Sequence, residues 1–213
     1  MPLERCIKPD RETVAGIWKI EENADDLIAG LELSPLEDQI VHSYRNMRRK
    51  EQWLACRRIL KEIYGKNYTL AYNEFGKPFL VNNPETELSL SHSGEYAAAI
   101  ISRSYRIGID IEKVSDRIHR VKERFLSEPE LRHTSLHHNT EELYVYWGAK
   151  EALYKINGRP DIDFQKDIIL EPFDYLCAGQ CFAEIRRGSK PGKFEVSYEK
   201  IGNYIFVYAL GKR

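Results

Sequence analysis

Ile107-Gly108-Ile109-Asp110-Ile111-Glu112 is the stretch on which the reading of this chain turns. It alternates without a break, with isoleucine at 107, 109 and 111 and glycine, aspartate and glutamate at 108, 110 and 112. Successive side chains of a strand point to opposite faces, so this is a half-buried strand with one wholly apolar side. The same period puts Asp110 and Glu112 on one side, where two carboxylates repel unless a cation joins them. Paired hard oxygen donors suit Mg²⁺, which takes one or two carboxylates and completes its shell with water and substrate phosphate. The ordinary alternative is a solvated strand face.

Toward the C-terminus, Glu141–Lys155 reads as a helix closed by Asn157-Gly158. On it Trp147, Glu151 and Lys155 stack at i, i+4 and i+8, giving one stripe an aromatic ring, a carboxylate and an ammonium. The plain reading of such a stripe is a surface Glu–Lys pair, worth a few tenths of a kcal/mol. Toward the N-terminus, Ser89-Leu90-Ser91-His92-Ser93-Gly94 lies between strands expected at Leu88–Ser91 and Tyr96–Ile101. Its hydroxyls and imidazole can donate to a phosphate, or simply make a turn.

Farther out, Val14–Ile20 reads as a strand, and Asn23 caps a short helix that stops near Gly30. Ser34-Pro35-Leu36-Glu37 has the spacing of a capping box with proline in the first turn. The run from there to Tyr64 divides into two helices, with Gly65 as the stop and a positive face from Arg48, Arg49, Arg57, Arg58 and Lys61. Asn73–Pro78 is a turn between β-like pieces. Strands are expected near Ile168–Leu170, Phe182–Ile185, Phe194–Tyr198 and Tyr204–Leu210, the last two as a hairpin across Glu199–Asn203. Helices followed by strands occur in each half, the pattern of two similar α+β lobes.

The 213 residues are 42% hydrophobic, enough for one large domain or two small ones. Charged residues make up 31%, yet the net charge is -1, so no global field points to nucleic acid. No apolar run approaches the roughly 20 residues of a membrane span, and the first ten residues have no apolar leader core. Four cysteines without CxxC spacing read as reduced thiols, and the expected setting is soluble and cytoplasmic.

Taken in order, Gly76-Lys77-Pro78, Leu90-Ser91-His92-Ser93, Gly108–Glu112 and Trp147-x-x-Lys150-Glu151-Ala152-x-x-Lys155 resemble the Sfp-like phosphopantetheinyl transferases. The resemblance runs from about Arg49 to Lys155 and extends to Phe125-Leu126-Ser127-x-x-Glu130. It implies an α+β pseudo-dimer of two lobes, here 1–103 and 104–213, with coenzyme A between them. By similarity Asp110, Glu112 and Glu151 would hold Mg²⁺, with Lys155 placed to neutralise the leaving phosphate; Glu151 is the candidate base, directly or through a metal-bound water. Arg49, Arg57, Lys77, Ser91, His92, Lys150 and Lys155 would contact coenzyme A. The implied reaction loads phosphopantetheine onto a serine of an apo carrier protein, and the implied state is a monomer that needs neither nucleic acid nor membrane.

Asp116–His133 is basic and partly apolar, and Arg117, Arg120 and Arg124 could dock an acidic carrier helix; the alternative is a solvated amphipathic face. His133, His137 and His138 lack a zinc-like pattern and read as an exposed loop. Two rival functions stand beside the transferase: a Mg²⁺-dependent phosphoesterase, and a silent paralogue that binds coenzyme A or a carrier without turnover.

Overall fold

The computed structural model describes residues 3–65 and 68–213. An antiparallel sheet with strand order β1-β2-β6-β5 contains β1 (Arg5–Ile7), β2 (Thr13–Lys19), β5 (Glu87–Ser93) and β6 (Tyr96–Ser102). Three helices accompany it: α1 (Ala24–Ile28), α2 (Pro35–Ser43) and α3 (Met47–Tyr64). Asn23 caps α1 by accepting from the Asp26 N–H, and Ser34 with Glu37 closes the capping box of α2. The long run expected to hold two helices breaks between Ser43 and Met47, and Gly65 ends α3 in the left-handed region at φ 63°. A two-stranded ribbon, β3 (Leu70–Tyr72) with β4 (Pro78–Leu80), flanks the 73–78 turn.

The second sheet has the order β7-β11-β10-β9-β8 and is antiparallel throughout. Its strands are β7 (Tyr105–Lys113), β8 (Ile168–Leu170), β9 (Ala178–Ile185), β10 (Gly192–Ile201) and β11 (Tyr204–Lys212). Between β7 and β8 lie α4 (Ile118–Val121), a single 3-10 turn (Lys122–Arg124), α5 (Glu128–His137) and α6 (Thr140–Asn157). The fold class is therefore α+β, with six α-helices and three sheets among the described residues.

Three apolar cores hold these layers. One lies under α3 against the first sheet, and one under α6 against the second. The third joins the sheets, where Ile107, Ile109 and Ile111, each 0% exposed, pack with Ala15, Ile17 and Ile100. That third core turns the other face of β7, with Asp110 and Glu112, toward α6. α6 can come so close only because residue 108 is glycine: a Cβ there would lie 1.9 Å from the Ala152 carbonyl oxygen.

β5 and β7 run side by side, stitched by hydroxyls rather than by a backbone ladder. The amides of Ile109, Ile111 and Lys113 donate to the Oγ atoms of Ser89, Ser91 and Ser93 at 3.2, 3.3 and 3.2 Å. Two sheet edges that would otherwise present unpaired amides are thereby closed on each other.

Two expectations need correction. The basic stretch 116–133 is not one amphipathic helix: it breaks into α4, the 3-10 turn and the start of α5, where the Glu130 carboxylate accepts from the Ser127 amide at 2.7 Å. His133 and His137 do not lie on an exposed loop but one turn apart on α5, which ends at His138 in the left-handed region (φ 49°).

Candidate active site

A cleft of about 890 Å³ opens between the first sheet and α6, lined among others by Arg57, Lys77, His92, Asp110, Glu151 and Lys155. Its floor is the acidic face of β7. Asp110 is 3% exposed; its Oδ1 accepts from Ser91 Oγ and from Lys155 Nζ, both at 2.8 Å. Its Oδ2 is buried and accepts no hydrogen bond from any described residue. Glu112 Oε2 accepts from Ser93 Oγ at 2.8 Å. Glu151 faces both from α6, a helix seated low because a Cβ on Gly148 would strike Val207 Cγ2 at 2.8 Å.

The electrostatics follow from this crowding. Burial first, then the Asp110 charge, raises the Glu112 carboxyl above its ordinary value. Burial and the Asp110 charge push Glu151 up to about 7, against the pull of Lys155. The donor set is all oxygen, the Glu112 and Glu151 carboxyls are raised by burial and by neighbouring carboxylates, and one buried Asp110 oxygen has no donor. Those properties fit a hard divalent cation such as Mg²⁺, with Asp110, Glu112 and Glu151 as the residues that would hold it.

Cations line the cleft as well. Lys155 Nζ donates to the Ile109 carbonyl and Asp110 Oδ1, both at 2.8 Å. The Arg57 guanidinium carbon lies 3.7 Å from the centre of the Trp53 ring, and the group donates to Glu37 Oε1 at 3.1 Å and to the Tyr72 hydroxyl at 2.9 Å. Its buried Nη1 donates to no described residue, so one arm of the fork remains for an anion. Lys77 Nζ donates to Glu87 and to the Ile156 carbonyl, both at 3.2 Å, and burial lowers its pKa. Burial, Lys155 and Arg49 hold His92 below the ordinary imidazole value, while Arg49 itself stands exposed at the first turn of α3.

Two residues expected to contact coenzyme A have protein partners in this structure. Ser91, which lines the cleft, donates its hydroxyl proton to Asp110 and accepts from the Ile111 amide, so here its hydroxyl holds a carboxylate and a strand amide. Lys150 is 0% exposed inside the second lobe, its ammonium bonded to Glu130 Oε2 at 2.8 Å and to the carbonyls of Phe164 and Ile168 at 2.7 and 2.6 Å. One helical step is about 100°, enough to turn Lys150 into the core while Glu151 faces the cleft. Ser93 escaped the sequence reading as a carboxylate partner; its signal was the serine period of two, in step with 109, 111 and 113. Arg117, Arg120 and Arg124 are exposed and form no ion pair among the described residues.

An acidic cradle flanked by lysine and arginine lines this cleft, an arrangement whose chemistry suits a divalent cation and a phosphorylated ligand. The family model that matches residues 106–207 is that of the 4'-phosphopantetheinyl transferase superfamily. The chain is 30% identical over 138 residues to the 4'-phosphopantetheinyl transferase AcpT of Escherichia coli O157:H7, covering 62% of this chain and 70% of that protein. It is 33% identical over 111 residues to the 4'-phosphopantetheinyl transferase Sfp of Bacillus subtilis, covering 47% of this chain and 49% of that one. It is 24% identical to the human L-aminoadipate-semialdehyde dehydrogenase-phosphopantetheinyl transferase, covering 97% of this chain and 77% of that protein. This chain belongs to the 4'-phosphopantetheinyl transferase superfamily. Its matches span only 39% to 50% of the length of several bacterial relatives.

Proposed function

We propose that this protein transfers the 4'-phosphopantetheine arm of coenzyme A to a serine of an apo carrier protein and releases 3',5'-ADP. The observation that carries this reading is the orphaned Oδ2 of Asp110, in one cleft with Glu112, Glu151 and Lys155, whose ammonium bonds the other oxygen of the same carboxylate. The two sheets with their helices are read as the two lobes of a pseudo-dimer, 1–103 and 104–213, with coenzyme A in the cleft between them.

A divalent ion bound there supplies charge neutralisation to the pyrophosphate oxygens. The chain's own groups do the rest. Lys155 offers its ammonium to the phosphate that leaves. Arg57 has an unpaired N–H for an anion, and Lys77, His92 and Arg49 surround the same space. The carrier serine Oγ forms a bond to the β-phosphorus as the bond to the 3',5'-ADP oxygen breaks, and that oxygen keeps the electron pair. The serine proton goes to the Glu151 carboxylate, directly or through a water. The exposed Arg117, Arg120 and Arg124 are the proposed docking side for an acidic carrier helix. We read the protein as a cytoplasmic monomer that uses neither nucleic acid nor membrane; no helix among the described residues is long and apolar enough to cross one.

The test is intact mass of a panel of apo carriers incubated with the protein, coenzyme A and Mg²⁺. A gain of one phosphopantetheine, lost with EDTA and in Asp110→Ala, is the expected result. Coenzyme A binding with no carrier modified would favour the silent paralogue. Release of a phosphate fragment without an acceptor protein would favour the phosphoesterase.

A further inference from the structure

Away from the cleft, His133, His137 and Glu142 bring one ligand atom each to within 4.8 Å of one another. The two imidazoles sit one turn apart on α5, their rings 5.1 Å apart and nearly perpendicular at 89°. Glu142 comes from the first turn of α6, across the short connection in which His138 turns left-handed. Its side chain is 0% exposed, whereas those of His133 and His137 are 19% and 41% exposed.

As hydrogen bonds these contacts are long. Glu142 Oε1 lies 3.4 Å from both His133 Nε2 and His137 Nδ1, and Oε2 lies 3.2 Å from His137 Nδ1. N–H···O bonds run about 2.7–3.2 Å, so the two 3.4 Å contacts to Oε1 fall outside that range and the Oε2 contact lies at its long edge. His133 Nε2 has a better acceptor in the Phe173 carbonyl at 3.0 Å, so a proton there does not serve the carboxylate well. No lysine or arginine forms an ion pair with Glu142 among the described residues; burial raises its pKa, and only the two imidazoles oppose that. A fully buried carboxylate is costly unless a cation compensates it.

The same distances are right for something else. Ligands about 2.0–2.1 Å from a tetrahedral zinc ion lie about 3.3–3.4 Å from one another. Oε1 stands at that separation from both nitrogens. Two imidazoles and a carboxylate are three ligands of a tetrahedral site, with water or the Phe173 oxygen to complete it. We propose that His133, His137 and Glu142 form a binding site for a late first-row divalent cation of the Zn²⁺ class. Occupying it would fasten the end of α5 to the start of α6. The other end of α5 holds Glu130, the partner of Lys150 next to Glu151, so the clamp braces the helix that carries the cleft carboxylate. Loading displaces the His133–Phe173 hydrogen bond, and the ring proton moves to Nδ1.

The test uses metal-stripped full-length protein in excess Mg²⁺, which satisfies the cleft carboxylates, titrated with Co²⁺ and then Zn²⁺. One Co²⁺ per chain with the visible d–d bands of tetrahedral coordination, bleached by one equivalent of Zn²⁺, is expected. His137→Ala, at an exposed position that leaves folding intact by circular dichroism, should lose the bands and bind Zn²⁺ at least about 100-fold more weakly. Glu142→Gln should behave alike, and Asp110→Ala should keep the bands. Absent bands in the unaltered protein, bands that persist in His137→Ala, or bands lost in Asp110→Ala would each overturn the site.

Discussion

At the scale of single residues, the cleft sets function against stability. Glu151 ionises near 4.5 when unfolded and near about 7 in the fold, so the folded chain holds that proton more tightly. Its contribution is a destabilisation that grows as pH rises between those values and is complete above the higher one. Glu151→Gln removes the charge. It should raise the melting temperature of the Mg²⁺-free protein at pH 8, by stability on the order of 1–3 kcal/mol, and abolish carrier loading. Thermal unfolding at pH 8 and pH 5 checks the sign, because the gain should shrink at the lower pH. The same proton competes with Mg²⁺, so the Mg²⁺ concentration for half-maximal loading should increase as pH falls through 7. Lys150 differs from its neighbour. Lys150→Met strands the buried Glu130 carboxylate and should cost about 3–5 kcal/mol by denaturant unfolding. At permissive temperature its KM for coenzyme A should match that of the unaltered protein; a raised KM with stability intact would restore Lys150 to the ligand site.

At the scale of elements, the informative seam is β5 against β7. The serines at 89, 91 and 93 read as phosphate donors because a histidine and a glycine accompany them, yet their period of two belongs to a strand and their hydroxyls answer the amides of β7. Ser91→Ala removes the donor to Asp110 and the acceptor for the Ile111 amide. We expect a loss of about 1–3 kcal/mol in stability and a Mg²⁺ requirement raised about 10–100-fold, read from Mg²⁺ titrations of loading rate. Coenzyme A affinity in the absence of metal should be unaltered. Gly108 governs the other seam. With the Ala152 carbonyl 1.9 Å from where a Cβ would sit, Gly108→Ala must push α6 off the sheet and should cost at least about 3 kcal/mol in equilibrium unfolding.

At the scale of the whole molecule, a net charge of -1 conceals a local basic side made by Arg117, Arg120 and Arg124, all exposed. If an acidic carrier docks there, Arg120→Glu with Arg124→Glu should raise KM for the carrier at least about tenfold. KM for coenzyme A, bound in the cleft, should hold steady, and the carrier KM of the unaltered protein should rise with salt. Equal effects on both substrates would remove this surface from the docking role.

The sequence by itself determined the strand with Asp110 and Glu112 on one face, the caps at Asn23 and Ser34, the helix stops at Gly65 and Gly158, and the Trp147–Glu151–Lys155 stripe. Each rests on a local rule: strand period, helix period, or the freedom of glycine in the left-handed region. Order of motifs along the chain was enough for the family. Only the tertiary structure decided that Ser91 serves Asp110, that Lys150 serves Glu130, that Arg57 keeps one N–H unspent, and that His133 and His137 meet Glu142. Those are pairings between segments far apart in the chain or turned about a helix axis, and no local pattern encodes which partner a polar side chain meets once it is buried.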